Sequence, residues 1–148
     1  MKTLIINPQY FDNQYSIAQY VQDLHPNIVL LGHSNVALAH PMMMEIAQTI
    51  KSLSQNIVVI YGGSFASTHF VEIFKYESCI DYIVRENRSI KTLLNAIKNQ
   101  SDLSQVKGIV YRDNGALVIT PNALANEAYT LRSPVQKQVI FKDERIRA

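Results

Sequence analysis

Ile57-Val58-Val59-Ile60-Tyr61 runs directly into Gly62-Gly63-Ser64. Five consecutive apolar residues, four of them β-branched, suit a strand covered on both faces, as in the middle of a parallel sheet. The paired glycines stop it at a turn. Outward from this strand, short β-branched runs alternate with segments of helical period, the pattern of an α/β domain with a mostly parallel sheet. On the amino side, Thr3-Leu4-Ile5-Ile6 and Ile28-Val29-Leu30-Leu31 read as strands. Between them Ser16 to Leu24 places Ile17, Tyr20, Val21 and Leu24 on one helical face, stopped by His25-Pro26-Asn27. Pro41 suits the first turn of a helix to about Leu53, with Met44, Ala47, Ile50 and Lys51 at helical spacing.

On the carboxyl side a helix is predicted from about Thr68 to Tyr76, then a strand from Asp81 to Val84. Ser89 is suited to cap a helix carrying Ile90, Leu93, Leu94 and Ile97. After the polar link Asn99 to Ser104, Gly108-Ile109-Val110-Tyr111 and Ala116-Leu117-Val118-Ile119 flank Asp113-Asn114-Gly115, a hairpin signal because Asn-Gly tolerates positive φ. Beyond Pro121 the pattern weakens, and Gln138-Val139-Ile140-Phe141 reads as one more strand or a segment docked on the core. The expected organisation is one α/β domain over 1–121, hairpin included, and an extension over 122–148.

The 148 residues are 47% hydrophobic and 18% charged, which fits a single soluble domain with its own core. Fourteen Lys and Arg against twelve Asp and Glu leave a net charge of +2, too small an excess to imply nucleic-acid binding. The single cysteine, Cys79, excludes an internal disulfide framework, a cysteine zinc site and an iron–sulfur cluster held by this chain alone. Met1 to Ile6 is shorter than a signal-peptide core, and no apolar run approaches the ~18 residues of a spanning helix. A reducing, cytoplasmic location is expected.

In open parallel sheets ligands bind outside the carboxyl ends of the strands. Four such ends are readable: Asn7 to Tyr10, Gly32-His33-Ser34-Asn35, Gly62-Gly63-Ser64 and Arg85-Glu86-Asn87-Arg88. At Gly62-Gly63-Ser64, two residues without Cβ let a ligand approach the backbone and Ser64 adds a hydroxyl; a tight turn needing positive φ explains the same residues. Neither a Walker sequence nor G-x-G-x-x-G is present, so nucleotide hydrolysis and NAD binding are not expected. His33 and His40 bracket one strand end, but no Asp or Glu between Asn27 and Met44 orients either ring, and both read as polar loop residues. Cys79 reads as a buried small hydrophobe and Met42-Met43-Met44 as adaptable core. No catalytic constellation and no metal site emerge, so the chain is not expected to be an enzyme.

Whole phrases of the chain resemble the N-terminal cobalamin-binding domain of cobalamin-dependent radical SAM enzymes. These are Asn27-Ile28-Val29 leading to a Ser-containing loop, Ile57 to Ser64, Asp81-Tyr82-Ile83-Val84-Arg85-Glu86, and Val106 to Gly115. The resemblance spans roughly Asn27 to Pro121. It implies a flavodoxin-like α/β fold with cobalamin at the carboxyl ends of the strands, lined by Gly32, Ser34, Asn35, Gly62, Gly63, Ser64, Arg85 and Glu86. The Cys-x-x-x-Cys-x-x-Cys cluster motif of the radical SAM half is absent, so what it implies is a non-catalytic corrinoid carrier or accessory to a separate radical SAM or methyltransferase partner. A cofactor-free protein-interaction module on the same fold is the alternative.

Without Asp-x-His-x-x-Gly, a histidine-ligated cobalt is not expected. Arg85-Glu86-Asn87-Arg88-Ser89 stands where the family has Arg-Gly-Glu-Gly-Glu, which removes backbone space and adds the charge of Arg88. The start resembles the family's first strand followed directly by what comes after its second. A central strand lost in this way would leave a gap to be filled by a shifted strand, by Val139 to Phe141 or by another chain. A homo-oligomer or an obligate partner is therefore expected.

Overall fold

Val58–Gly62 forms the third of six strands in one continuous sheet. The protein is seen here as a computed structural model that describes residues 1–6, 14–32 and 40–122. In chain order the elements are β1 (Thr3–Ile6), α1 (Gln14–Leu24), β2 (Ile28–Gly32), α2 (His40–Leu53), β3 (Val58–Gly62), α3 (Ser64–Thr68), α4 (Phe70–Tyr76), β4 (Tyr82–Val84), α5 (Ser89–Asn99), a 3-10 turn at Leu103–Gln105, β5 (Ile109–Asp113) and β6 (Ala116–Ile119). β1 to β4 are mutually parallel, whereas β4–β5 and β5–β6 are antiparallel. The expected mostly parallel sheet ending in a hairpin is the sheet observed.

Strand order equals chain order, so the three parallel crossovers step the same way. They stack α1, α2 and α3–α4 on one face. There Ile17, Val21, Met43, Met44, Ile46, Ala47, Ile50, Ala66, Ile73 and Phe74 pack on Val29, Leu31, Val59, Tyr61 and Ile83. On the other face Ile90, Leu93 and Ala96 of α5 belong to the core with Leu30, Ile60, Val84 and Ile109. Alternate residues of each strand thus serve opposite cores, which is why the strands read as unbroken apolar runs. Cys79 is buried, and burial pushes its thiol pKa up, as befits a core residue.

Two long side chains lock distant segments together. Lys51 Nζ lies 2.7 Å from Asp81 Oδ2 and donates to the Ile57 carbonyl at 2.8 Å, while the same carboxylate oxygen accepts from the Val59 amide at 2.8 Å. This ties α2 to the amino ends of β3 and β4. Arg112 of β5 donates to the carbonyls of Ile80, Phe74 and Glu77 and lies 4.5 Å over the Phe74 ring, closing the carboxyl end of α4.

Four sequence expectations are revised. The sheet has no gap among the described residues: β1 pairs directly with β2, from Thr3↔Ile28 to Ile6↔Leu31, so it continues the sheet rather than leaving a central place empty. The helix expected over Thr68 to Tyr76 begins earlier and breaks at His69 into α3 and α4. Ser89 does not cap α5; its hydroxyl donates to the Lys107 carbonyl at 2.6 Å, and Arg88 holds the cap position. Met42 is 52% exposed, whereas Met43 and Met44 are core. The hairpin turn is as read, with Asn114 at φ 51° and Gly115 at φ 84°. The segment Gln138 to Phe141 lies outside the described residues.

Candidate functional site

The register aligns three carboxyl ends in a row: Gly32 beside Gly62, and Gly62 beside Val84. Residues in register on neighbouring strands face the same way. Leu30, Ile60 and Val84 belong to the α5-side core, so the missing side chains of Gly32 and Gly62 would project on that side. Among the described residues, a Cβ at Gly32 would meet nothing within 4 Å, and one at Gly62 only the Val84 carbonyl at 3.9 Å. Neither residue has positive φ. Among the described residues, backbone conformation and crowding leave both glycines unexplained, and together they form a notch without side chains about two strands wide, with Gly62 buried and Gly32 partly exposed.

Gly63 differs. Its φ of 116° and ψ of 173° fall in a region that only glycine occupies comfortably, and it turns the chain from β3 into α3. The two readings of the glycine pair thus divide between its members: Gly63 makes the turn and Gly62 leaves the space. Ser64 opens α3 at the surface, its carbonyl accepting from the Ser67 and Thr68 hydroxyls at 2.9 and 3.0 Å. Ser34, Asn35, His33 and the Asn7 to Tyr10 segment lie outside the described residues.

Arg85 and Glu86 are turned toward the hairpin. The Arg85 amide donates to the Gly108 carbonyl at 2.7 Å, and its guanidinium donates to the Thr120 carbonyl and lies 5.5 Å over the Phe70 ring. Glu86 faces Arg88 at 3.3 Å. Arg88 is buried, so its charge is met within the loop rather than displayed at the strand ends. Gly108 allows this packing: at φ 75°, a Cβ there would come within 2.6 Å of both Glu86 Oε2 and Ser89 Oγ. The loop that replaces the glycine-rich phrase thus closes against β5.

An aromatic ladder lies on the α2–α3 side of the same strand ends. The buried Tyr61 hydroxyl is 3.0 Å from His40 Nδ1. The His40 ring stacks on Tyr61 at 5.7 Å and meets Phe65 at 4.7 Å, and Phe65 stacks on His69 at 4.2 Å. Burial pushes the Tyr61 phenol up to about 12 and lowers the His40 imidazole below its usual value, with nearby Glu77 partly opposing the latter. Both groups are held neutral near pH 7, and His40 satisfies the one polar atom of a buried tyrosine. His40 is therefore the first residue of a helix with a defined partner, not the loop residue expected. The ladder was missed because α3 was not read; the i, i+4 pair Phe65 and His69 was its available signal. Among the described residues no group of three or more His, Cys, Asp or Glu side chains is placed to hold a metal ion, and no helix is long and apolar enough to cross a membrane.

No protein-family model matches the chain. Over 97 residues, 64% of its length, it is 33% identical to the anaerobic magnesium-protoporphyrin IX monomethyl ester cyclase of Synechocystis sp., of which this covers 19%. Among solved structures it is similar to the cobalamin-dependent S-adenosylmethionine radical enzyme OxsB with aqua-cobalamin and S-adenosylmethionine bound, at TM-score 0.72 and 19% identity, over 97% of this chain and 20% of that one. It is also similar to the radical S-adenosylmethionine methyltransferase TsrM from Kitasatospora setae with cobalamin and a [4Fe-4S] cluster bound, at TM-score 0.65 and 21% identity, over 78% of this chain and 22% of that one. The chain spans about a fifth of the length of these relatives. The likeness to cobalamin-dependent radical SAM enzymes read from the sequence is thus found in the fold as well, which is Rossmann-like.

Proposed function

We propose that the chain is a corrinoid-binding domain without catalysis of its own, serving a separate radical SAM or methyltransferase partner. The observation that carries the reading is the notch at Gly32 and Gly62, two adjacent glycines that the fold does not itself require, placed where parallel sheets of this kind take their ligands. A corrinoid brings a flat, bulky macrocycle with amide side chains, and such a group fits strand ends that carry no side chains better than a wall of them. Gly32 and Gly62 would hold it by close backbone approach, with Ser64 at the rim. When bound, the corrinoid supplies a cobalt centre able to carry a methyl group; the chain supplies its seat.

The test is retention of hydroxocobalamin and methylcobalamin by the purified protein through gel filtration, read by visible absorption. Stoichiometric retention with a changed spectrum is expected, and no retention at micromolar protein overturns the reading. A cofactor-free interaction module is favoured instead by the sheet edges. Neither β1 nor β6 has an outer partner strand among the described residues, and Ile119 on β6 is 47% exposed. Under that reading a strand from a partner, or from a second copy of this chain, joins an edge, and the glycine notch is indifferent.

A further inference from the structure

We propose that the outer edge of β6 is the docking site of the chain's own segment Val139-Ile140-Phe141, added antiparallel as a further strand. The two edges of the sheet differ. On β1, Leu4, Ile5 and Ile6 are all buried, whereas on β6 Leu117 and Val118 are half-buried and Ile119 is 47% exposed. Ala116-Leu117-Val118-Ile119 also carries no charge and no proline, the devices that ordinarily keep an edge strand from pairing. The Thr120 amide donates to the Ile109 carbonyl at 3.0 Å. Alternation along an antiparallel strand turns the backbone groups of Val118 toward β5 as well, and directs the N–H and C=O groups of Leu117 and Ile119 outward. The edge thus offers two donors and two acceptors to an incoming strand.

The occupant, whose residues lie outside those described, has the chemistry and the reach. Val139-Ile140-Phe141 is β-branched and aromatic, as strands prefer. Residues 120–138 separate it from Ile119, a longer connection than the ~12 residues that even a parallel crossover needs. With Val139 opposite Ile119 and Phe141 opposite Leu117, the outward groups of β6 are met, and two apolar side chains lie on the face that Ile119 exposes. That face is the α1–α4 side, where Leu117 packs and which Ile119, two residues on, shares. The same register sets Lys142 opposite Ala116, whose partner on β5 is Asp113. Asp113 is exposed and forms no ion pair with a described residue, and the small Ala116 leaves a lysine room to reach it. A second copy of the chain, paired through β6 about Val118, would set Thr120 opposite Ala116 and bring no charge to Asp113. Charge and reach together favour the chain's own segment.

This inference is independent of the corrinoid reading, and its test uses the full chain without corrinoid. Hydrogen exchange is followed at the Leu117 and Ile119 amides in the wild type and in Val139→Pro, which removes one donor to β6 and cannot continue the ladder. In the wild type both amides are expected to exchange about a hundredfold more slowly than the exposed turn amides of Asn114 and Gly115. Val139→Pro is expected to abolish that protection while the amides of Ile60 and Ile83, inside the sheet, stay protected and so report an intact fold. Fast exchange at Leu117 and Ile119 in the wild type means an open edge and overturns the proposal. Protection that survives in Val139→Pro overturns it as well, since another segment then covers the edge. The measurement is repeated across a tenfold range of protein concentration with light scattering alongside. Protection that grows with concentration as a dimer forms assigns the edge to a second copy and overturns the intramolecular strand; protection independent of concentration in a monomer, lost in Val139→Pro, upholds it.

Discussion

Gly108 and Gly62 stand on neighbouring parts of one sheet, and opposite physical causes put glycine at each. At Gly108 the chain is crowded and left-handed: φ is 75°, and an added methyl would meet the Glu86 carboxylate and the Ser89 hydroxyl at 2.6 Å. At Gly62 φ is unremarkable and an added methyl would meet only a carbonyl at 3.9 Å. The hairpin root is closed by its own residues, and the strand mouth is left open by them. A glycine that the fold demands says nothing about ligands; one that the fold could dispense with directs attention to what approaches from outside.

The largest expected effect belongs to the closed region. Gly108→Val combines a left-handed backbone that disfavours Cβ with displacement of Glu86 and Ser89, and is expected to cost about 3 kcal/mol in urea unfolding. A cost below ~1 kcal/mol would mean that the root is looser than its distances indicate. Next comes Gly62→Val, which fills the notch with a residue well suited to a strand. Stability is expected to stay within about 1 kcal/mol of wild type, while cobalamin retention falls roughly thirtyfold, about 2 kcal/mol of binding. Destabilisation as large as that of Gly108→Val would erase the contrast between the two glycines.

The smallest effect concerns His40 on the far side of the mouth. Burial depresses its folded pKa below the unfolded value near 6.5, so the unfolded chain takes up its proton first on acidification. The stability contributed by neutral His40 is present above about pH 6.5 and is lost as pH falls from there toward the depressed value. The urea midpoint is expected to drop between pH 7.5 and 5.5, and to drop less in His40→Gln. An equal drop in both would assign the pH dependence to other groups.

The parts of the fold legible in the sequence are those governed by neighbours along the chain. Ile57 to Tyr61 announces a central strand by composition, Ile17, Val21, Ile50 and Leu93 announce helix faces by spacing, and Asn114-Gly115 announces a turn by its backbone requirement. The five residues of α3 are too few to display a period, and its break from α4 at His69 leaves no local mark. The partners of Arg85 and Arg112 lie 32 to 38 residues away, beyond the reach of any pattern read along the chain. The same limit applied to the site. Its glycines were found by position, but the separate causes of Gly62 and Gly63 required backbone angles, and the inward turn of Arg85, Glu86 and Arg88 required the hairpin they pack against.

The sheet in which each strand lies beside its predecessor has a consequence for how the molecule comes into being. Each strand from β2 to β6 docks on the strand formed just before it, so assembly only ever adds at the growing edge and no strand has to wedge between two already joined. Pairing partners are always neighbours in chain order, joined through helical connections or, for β5 and β6, a two-residue turn, which limits the entropy of each closure. Synthesis from the amino terminus therefore proceeds in the order of zippering, and a nascent chain that has emerged as far as β3 already presents the ledge on which β4 will land. The same property lets two pieces severed in the polar link between α5 and β5 find each other again, because the broken molecule retains an edge that only its missing hairpin completes.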